Sequence, residues 1–265
     1  MIRFENVSFR YPGGAQVKAL NFELNKGDFA VLVGANGAGK STVSRLCNGL
    51  LKPQEGHVFV KGQDTRSVPT STLAKDVGFL FQNPDRQICQ PTVEKEIGFG
   101  LQFTISDEAA RVARCREVLD AFGFEGDRVP FSMSRGERQR IALASVIAAR
   151  PNILILDEPT TGLNYQECVR IMSLLCELNA GGTTILMITH DMELVQDYAQ
   201  RVLVLCEGEL IGDGPVHTVM RDEALLARAA LLPAQIPGLA LRLGQGFEQI
   251  NTVQEMAAEL ERRCG

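Results

Sequence analysis

The chain has 265 residues, 45% of them hydrophobic and 22% charged, which is enough apolar side chain for a full core and too little charge for disorder. Its net charge of −5 speaks against a nucleic-acid binder, because phosphate backbones draw basic faces. The longest apolar runs, such as 141–149, fall far short of the roughly 20 residues that a membrane span needs, so work at a membrane would require another chain.

The first third reads as strands. Apolar and polar residues alternate over 2–11 and again over 19–28, and 29–34 is a continuous buried run. Residues 41–51 have helical spacing, 56–64 form a short strand pair, and 78–82 a short buried strand. From 92 to 150 the pattern turns helical. Its clearest piece is 106–123, with Ser106 as cap, Asp107 and Glu108 in the first turn and Gly123 as stop. Strand and helix then alternate: 152–159, 165–179, 183–191, 192–199 and 201–214. This alternation predicts a mostly parallel sheet with helices on both faces. Residues 216–265 are helix-like with a Pro-rich break and read as a small C-terminal addition. The seven cysteines never stand at C-x-x-C spacing, so reduced thiols of a cytosolic protein are expected. The opening residues hold no apolar segment of a secretory signal.

"GANGAGKST" (34–42) follows the buried run 29–33 and opens a helix, the context in which G-x-x-x-x-G-K-[ST] cradles phosphates. The backbone of Gly34, Ala35, Asn36, Gly37, Ala38 and Gly39 can curl around phosphate oxygens, and the helix start adds partial positive charge. Lys40 would reach the terminal phosphates, and Ser41, beside Thr42, would ligate Mg²⁺. A plain Gly-rich turn is the bland alternative. "ILILDEP" (153–159) supplies the partner: an apolar strand that ends in Asp157, to orient the metal, and Glu158, to take a proton from the attacking water. A strand that happens to end in two acids is the alternative there. "NKGD" (25–28) matches a guanine-reading pattern formally. It precedes the phosphate loop, so a polar hairpin turn at Gly27 is the expectation.

With these motifs, "SMSRGERQR" (132–140) resembles the signature of ABC ATPases. The other marks of that family follow in order. Tyr11 resembles the residue that stacks on adenine, Gln82 the Q-loop glutamine that senses Mg²⁺, "TTGLN" (160–164) the D-loop, and His190 the switch histidine at the γ-phosphate. The resemblance covers about 1–215. It implies a P-loop NTPase α/β fold with a RecA-like parallel-sheet core, an N-terminal antiparallel β subdomain and a helical subdomain at about 83–150, plus the 216–265 extension. "FQNPDRQICQPTVEKEIGFGL" (81–101) is similar to ATPases of energy-coupling factor and cobalt or nickel importers, with a generic importer ATPase as the alternative. That narrower resemblance implies a scaffold contact at Asp85 and Arg86, although a second acid is usual where Arg86 stands.

The resemblance further implies Mg²⁺ with ATP as cofactors and two head-to-tail ATPase chains. It implies a transmembrane scaffold and a substrate-binding membrane subunit, a place on the cytoplasmic face of the membrane, and uptake of a vitamin or metal ion. Rival readings are another importer ATPase, a soluble ABC ATPase in cofactor assembly, and a P-loop kinase outside the family. Two departures stand out. Arg135 replaces a signature glycine between Ser134 and Gly136–Glu137, and Asn164 replaces the D-loop aspartate. Ser134 and Glu137 also read as a capping box, which is compatible with a signature role. Arg135 is costly only if its φ is positive. A homodimer and a heterodimer both stay open.

Overall fold

The structure is a computed structural model and describes every residue except Ala15, Gln245, Glu248 and Gly265, with only the backbone of Cys264. Four strands form a small antiparallel sheet in the order β2-β1-β4-β5: β1 (Ile2–Arg10), β2 (Gln16–Leu24), β4 (Glu55–Val60) and β5 (Gln63–Asp64). Alternation in β1 and β2 puts Ile2, Phe4, Val7, Leu20, Phe22 and Leu24 inward, with the Phe4 and Phe22 rings stacked 4.3 Å apart. β1 shifts register twice between Phe4 and Phe9, with Asn6 left-handed at φ 49°. Gly56 passes beside this bulge, where a Cβ would lie 2.2 Å from the carbonyl oxygens of both Glu5 and Asn6.

The second sheet has the order β10-β9-β3-β8-β7-β6. Its parallel part comprises β3 (Phe29–Val33), β6 (Val77–Leu80), β7 (Ile153–Asp157), β8 (Thr184–Ile188) and β9 (Arg201–Cys206); β10 (Glu209–Pro215) closes one edge antiparallel. Every residue of β3, β7 and β8 is buried, as expected of strands covered on both faces. Ala30, Leu32, Ile153 and Ile155 face the core shared with the small sheet and α1 (Lys40–Cys47). Val31, Val33, Leu154 and Leu156 face the core built with the helices.

Those helices are α3 (Val93–Phe99), α4 (Glu108–Phe122), α5 (Arg135–Ala148), α6 (Tyr165–Ala180) and α7 (Met192–Tyr198), with a short α2 (Thr70–Leu73) before β6. The cap of α4 is Asp107 rather than Ser106: the Asp107 carboxylate accepts from Ala110 N at 2.7 Å, and Ser106 stands one residue too early. Gly123, at φ 68°, ends the helix as expected. Residues 25–28 form a polar turn in which Asn25 N donates to Asp28 Oδ2 at 2.9 Å. It is a link between the two sheets and not a hairpin, since β2 and β3 belong to different sheets.

At the C-terminal end come α8 (Val216–Val219), α9 (Glu223–Arg228), α10 (Gln235–Leu243) and α11 (Val253–Cys264). Val216, Val219, Met220, Ala229 and Ala234 join the core of the large sheet. Ala240, Phe247, Ile250 and Met256 form a separate small cluster. Among the described residues no helix is long and apolar enough to cross a membrane.

Gly56→Ala combines a left-handed φ of 72° with backbone collisions, and is expected to cost about 2–3 kcal/mol in urea unfolding. Gly27→Ala, at φ 81° but in open space, is expected to cost only about 1 kcal/mol.

Candidate functional site

Because β8 lies between β3 and β7, the chain leaves three neighbouring strands on one edge of the sheet. The phosphate loop follows β3, Asp157 and Glu158 end β7, and His190 follows β8. These ends surround a cavity of about 290 Å³, walled by Asn36, Lys40, Ser41, Gln82, Asp157 and Glu158, with Gly37, Gly39 and Thr42 also on its wall.

The loop needs its glycines. Gly34 has φ 152° and passes so close to β9 that a Cβ would lie 2.2 Å from Leu205 O. Gly39 has φ 108° and starts α1, which has no side-chain cap and so presents its first N–H groups to the cavity side. Ala38 is buried. Lys40 folds back, its Nζ donating to Gly34 O at 2.6 Å and Ala35 O at 2.9 Å. Burial lowers the Lys40 pKa; the charges of Glu158 and Asp157 partly oppose this.

Ser41 Oγ donates to Asp157 Oδ2 at 3.1 Å. Burial raises the Asp157 pKa and the Glu158 charge adds to the rise, while the Ser41 bond, Arg45 and Lys40 oppose it. Glu158 is 7% exposed and left-handed at φ 56°. Its Oε1 accepts from His190 Nδ1 at 2.8 Å and its Oε2 from Thr161 Oγ1 at 3.3 Å. The His190 side chain itself is 74% exposed, so the pair joins a buried acid to an open ring.

Tyr11 stands outside the cavity wall. Its ring meets Phe9 edge-on at 4.9 Å, and its hydroxyl accepts from Arg45 Nη1 at 3.4 Å, beside α1. Ser134, Arg135, Gly136 and Glu137 form no part of the same cavity among the described residues. They begin α5 with a complete capping box: Glu137 N donates to Ser134 Oγ at 3.2 Å and Ser134 N to Glu137 Oε2 at 2.9 Å. Those bonds, and then Arg128, hold the Glu137 pKa low. Arg135 is the first helical residue and has no positive φ, so it carries no backbone strain. Glycine is required at Gly136 instead, where a Cβ would lie 2.6 Å from Gly162 O. Asn164 caps α6 and forms a second capping box with Glu167, a role that needs an oxygen acceptor and no charge. Asp85 accepts from Arg138 Nε at 2.7 Å, and Arg86 is exposed in the same turn.

The structure adds residues that motif reading passed over. Gln16 lines the cavity from the small sheet. Gln139, inside the signature run, donates to Glu158 O at 3.1 Å. Neither carried a signal in the sequence: the burial that marks Gln139 shows only in the fold.

A family model described as ABC transporter matches residues 17–161. The chain belongs to the ABC transporter family. It is 42% identical over 97% of its length to a putative ABC transporter ATP-binding protein of Caldanaerobacter subterraneus, of which it covers 45%. It is 36% identical over 98% of its length to the energy-coupling factor transporter ATP-binding protein EcfA of Methanothermobacter thermautotrophicus, covering 86% of that protein. The chain spans less than half the length of the first curated relatives it matches. Among solved structures, cbiO1 of Clostridium perfringens, part of the ABC transporter complex cbiONQ, aligns with TM-score 0.75 at 29% identity over 91% of this chain and 98% of that one. The dimeric ATP-binding cassette MJ0796 bound to ADP and Pi aligns with TM-score 0.75 at 28% identity over 82% and 99%. The fold is therefore the α/β fold of ABC ATPase cassettes.

Asp157 tests the electrostatics of the cleft. An acid with a raised native pKa stabilises the fold at low pH and loses that contribution as pH rises through the ordinary carboxylate range toward its native value. Asp157→Asn should therefore raise the nucleotide-free Tm at pH 7.5 by roughly 2–4 °C. The gap should close under acid in scanning calorimetry, and the Tm gain on adding Mg-ATP should shrink.

Proposed function

We propose that this chain is the ATP-binding and hydrolysing subunit of an energy-coupling factor type importer, powering uptake of a vitamin or transition-metal ion through membrane subunits. The observation that carries the catalytic part is the placement of the Glu158 carboxylate between His190 and the cavity of Lys40, Ser41 and Asp157. The relation to EcfA and to cbiO1 supports the importer type.

The donor set suits Mg²⁺. A hydroxyl and a carboxylate lie 3.1 Å apart at Ser41 and Asp157, and the Gln82 amide lines the same cavity. Mg²⁺ keeps waters and phosphate oxygens among its ligands and so needs few side-chain donors. Ser41, Asp157 and Gln82 would hold it, and the bound ion would neutralise charge on the β- and γ-phosphates. Lys40 releases its two loop carbonyls for the phosphates. Glu158 takes the proton of the attacking water, while His190 orients that carboxylate and reaches the γ-phosphate. Tyr11 offers its ring to the base.

The partner site comes from a second chain placed head to tail, as the dimeric state of MJ0796 supports. Ser134 and the first turn of α5 then face the other chain's γ-phosphate, and Arg135, unstrained and exposed, adds a cation there. In this reading 1–215 is the ATPase domain with its helical subdomain at about 83–150, and 216–265 assists pairing through the separate cluster at Phe247, Ile250 and Met256. The membrane partners meet the 81–104 region. Phe99 and Phe103 expose their rings beside a groove of about 600 Å³ lined by Phe79, Val146 and Phe103, and Asp85 and Arg86 supply charge nearby in sequence. This exposed apolar face favours a membrane-subunit partner, with the chain peripheral on the cytoplasmic side, over a soluble ATPase of cofactor assembly.

Glu158→Gln should lower steady-state ATP hydrolysis by at least ~100-fold while ATP binding persists. Light scattering after size exclusion should show the variant passing from monomer to dimer with Mg-ATP. A nucleotide-bound monomer would assign the second site to a related ATPase chain.

A further inference from the structure

The left-handed Glu158 is the most strained point of the site, and its support comes from an unexpected direction. A non-glycine residue at φ 56° persists only where its surroundings fix it. Glu158 N donates to Ile188 O at 2.9 Å, which ties it to the end of β8. Glu158 O closes a turn by accepting from Thr161 N at 3.3 Å. A further hold on the backbone is the Gln139 amide, 19 residues earlier, which donates to the same oxygen at 3.1 Å. Gln139 is 1% exposed and lies in the second turn of α5, facing the turn that follows β7. Two further contacts bind the start of α5 to the segment after Glu158: the close approach of Gly136 to Gly162 O, and Arg140 Nε 3.5 Å from Glu167 Oε1.

We propose that Gln139 is a positioning residue for Glu158, its amide holding the left-handed turn that aims the general-base carboxylate and tying that turn to the helix that bears the signature. The inference rests on the reading of Glu158 as base. It requires no contact between Gln139 and nucleotide. A buried amide aimed at a backbone carbonyl contributes orientation, and loss of orientation at a catalytic carboxylate lowers turnover with little effect on binding.

The test uses the full chain with Gln139→Met, which keeps length and removes the donor, and Ile141→Val, which trims core packing on the same helix without touching Glu158. In the nucleotide-free chain, hydrogen exchange of the 158–162 amides should quicken at least tenfold in Gln139→Met, while the amides of 141–148 keep their wild-type rates. In the ATPase assay the same variant should lose roughly ten- to a hundredfold in kcat with KM for ATP within about twofold, and Ile141→Val should keep both. Unchanged exchange at 158–162 overturns the inference. So does a loosening spread along all of α5 that Ile141→Val reproduces, or a wild-type kcat. The two readouts separate the failures. If wild-type protein does not hydrolyse ATP, the base assignment falls, and the exchange data still decide whether Gln139 holds the turn.

Discussion

Keeping charged groups together in one cleft is the constraint on which the rest of this molecule depends. Lys40, Asp157 and Glu158 are drawn together beyond the C-terminal ends of β3 and β7, central strands that are wholly buried. Burial lowers the Lys40 pKa and raises that of Asp157. Their mutual attraction offsets part of the cost, and so do Ser41 and the two loop carbonyls that Lys40 grips. Such a cleft is stabler when it holds a polyanion with its counter-ion than when it is empty.

The same constraint explains the strand order. Were β3 and β7 adjacent, Lys40 and Asp157 would crowd each other, and the chain after β8 could not enter between them. With β8 inserted, its trailing residue His190 reaches Glu158 from the open side, one ring edge in water and one nitrogen on a buried acid. The glycines follow from it too. Gly34 lets the loop turn against Leu205 O, and Gly136 lets the signature helix press on Gly162 O. Each removes a Cβ where two backbones must come within contact distance.

Much of this was legible in the chain. The phosphate loop, the Asp157–Glu158 pair and the strand-helix alternation are local patterns, and local geometry follows them. The alternation over 2–11 and 19–28 reappears as alternating burial along β1 and β2. What the pattern could not carry was order in space: nothing in 183–191 says that β8 inserts between β3 and β7. The cap of α4 moved from Ser106 to Asp107 because both residues can accept from a helix start, and a one-residue choice depends on where the preceding turn releases the chain. Residues 25–28 read as a hairpin because strand partners are invisible in a single strand's pattern. Gln139 was within view but indistinguishable from a solvent-facing helical glutamine until its burial was known.

Arg135 and Asn164 show how a departure from a familiar motif is to be weighed. Judged by residue type alone, the cost of each stays open. Judged by backbone, Arg135 occupies the first turn of a right-handed helix, where glycine has no advantage, and the indispensable glycine is its neighbour. Asn164 supplies the oxygen that caps α6, which an aspartate would also have supplied. The capping box at Ser134 and Glu137 does not compete with a role in binding anions. It fixes the direction of α5 and leaves the remaining first-turn N–H groups pointing outward, and that outward direction is what any γ-phosphate site at this helix end would require. Motif letters matter here only through the φ angles and hydrogen bonds they permit.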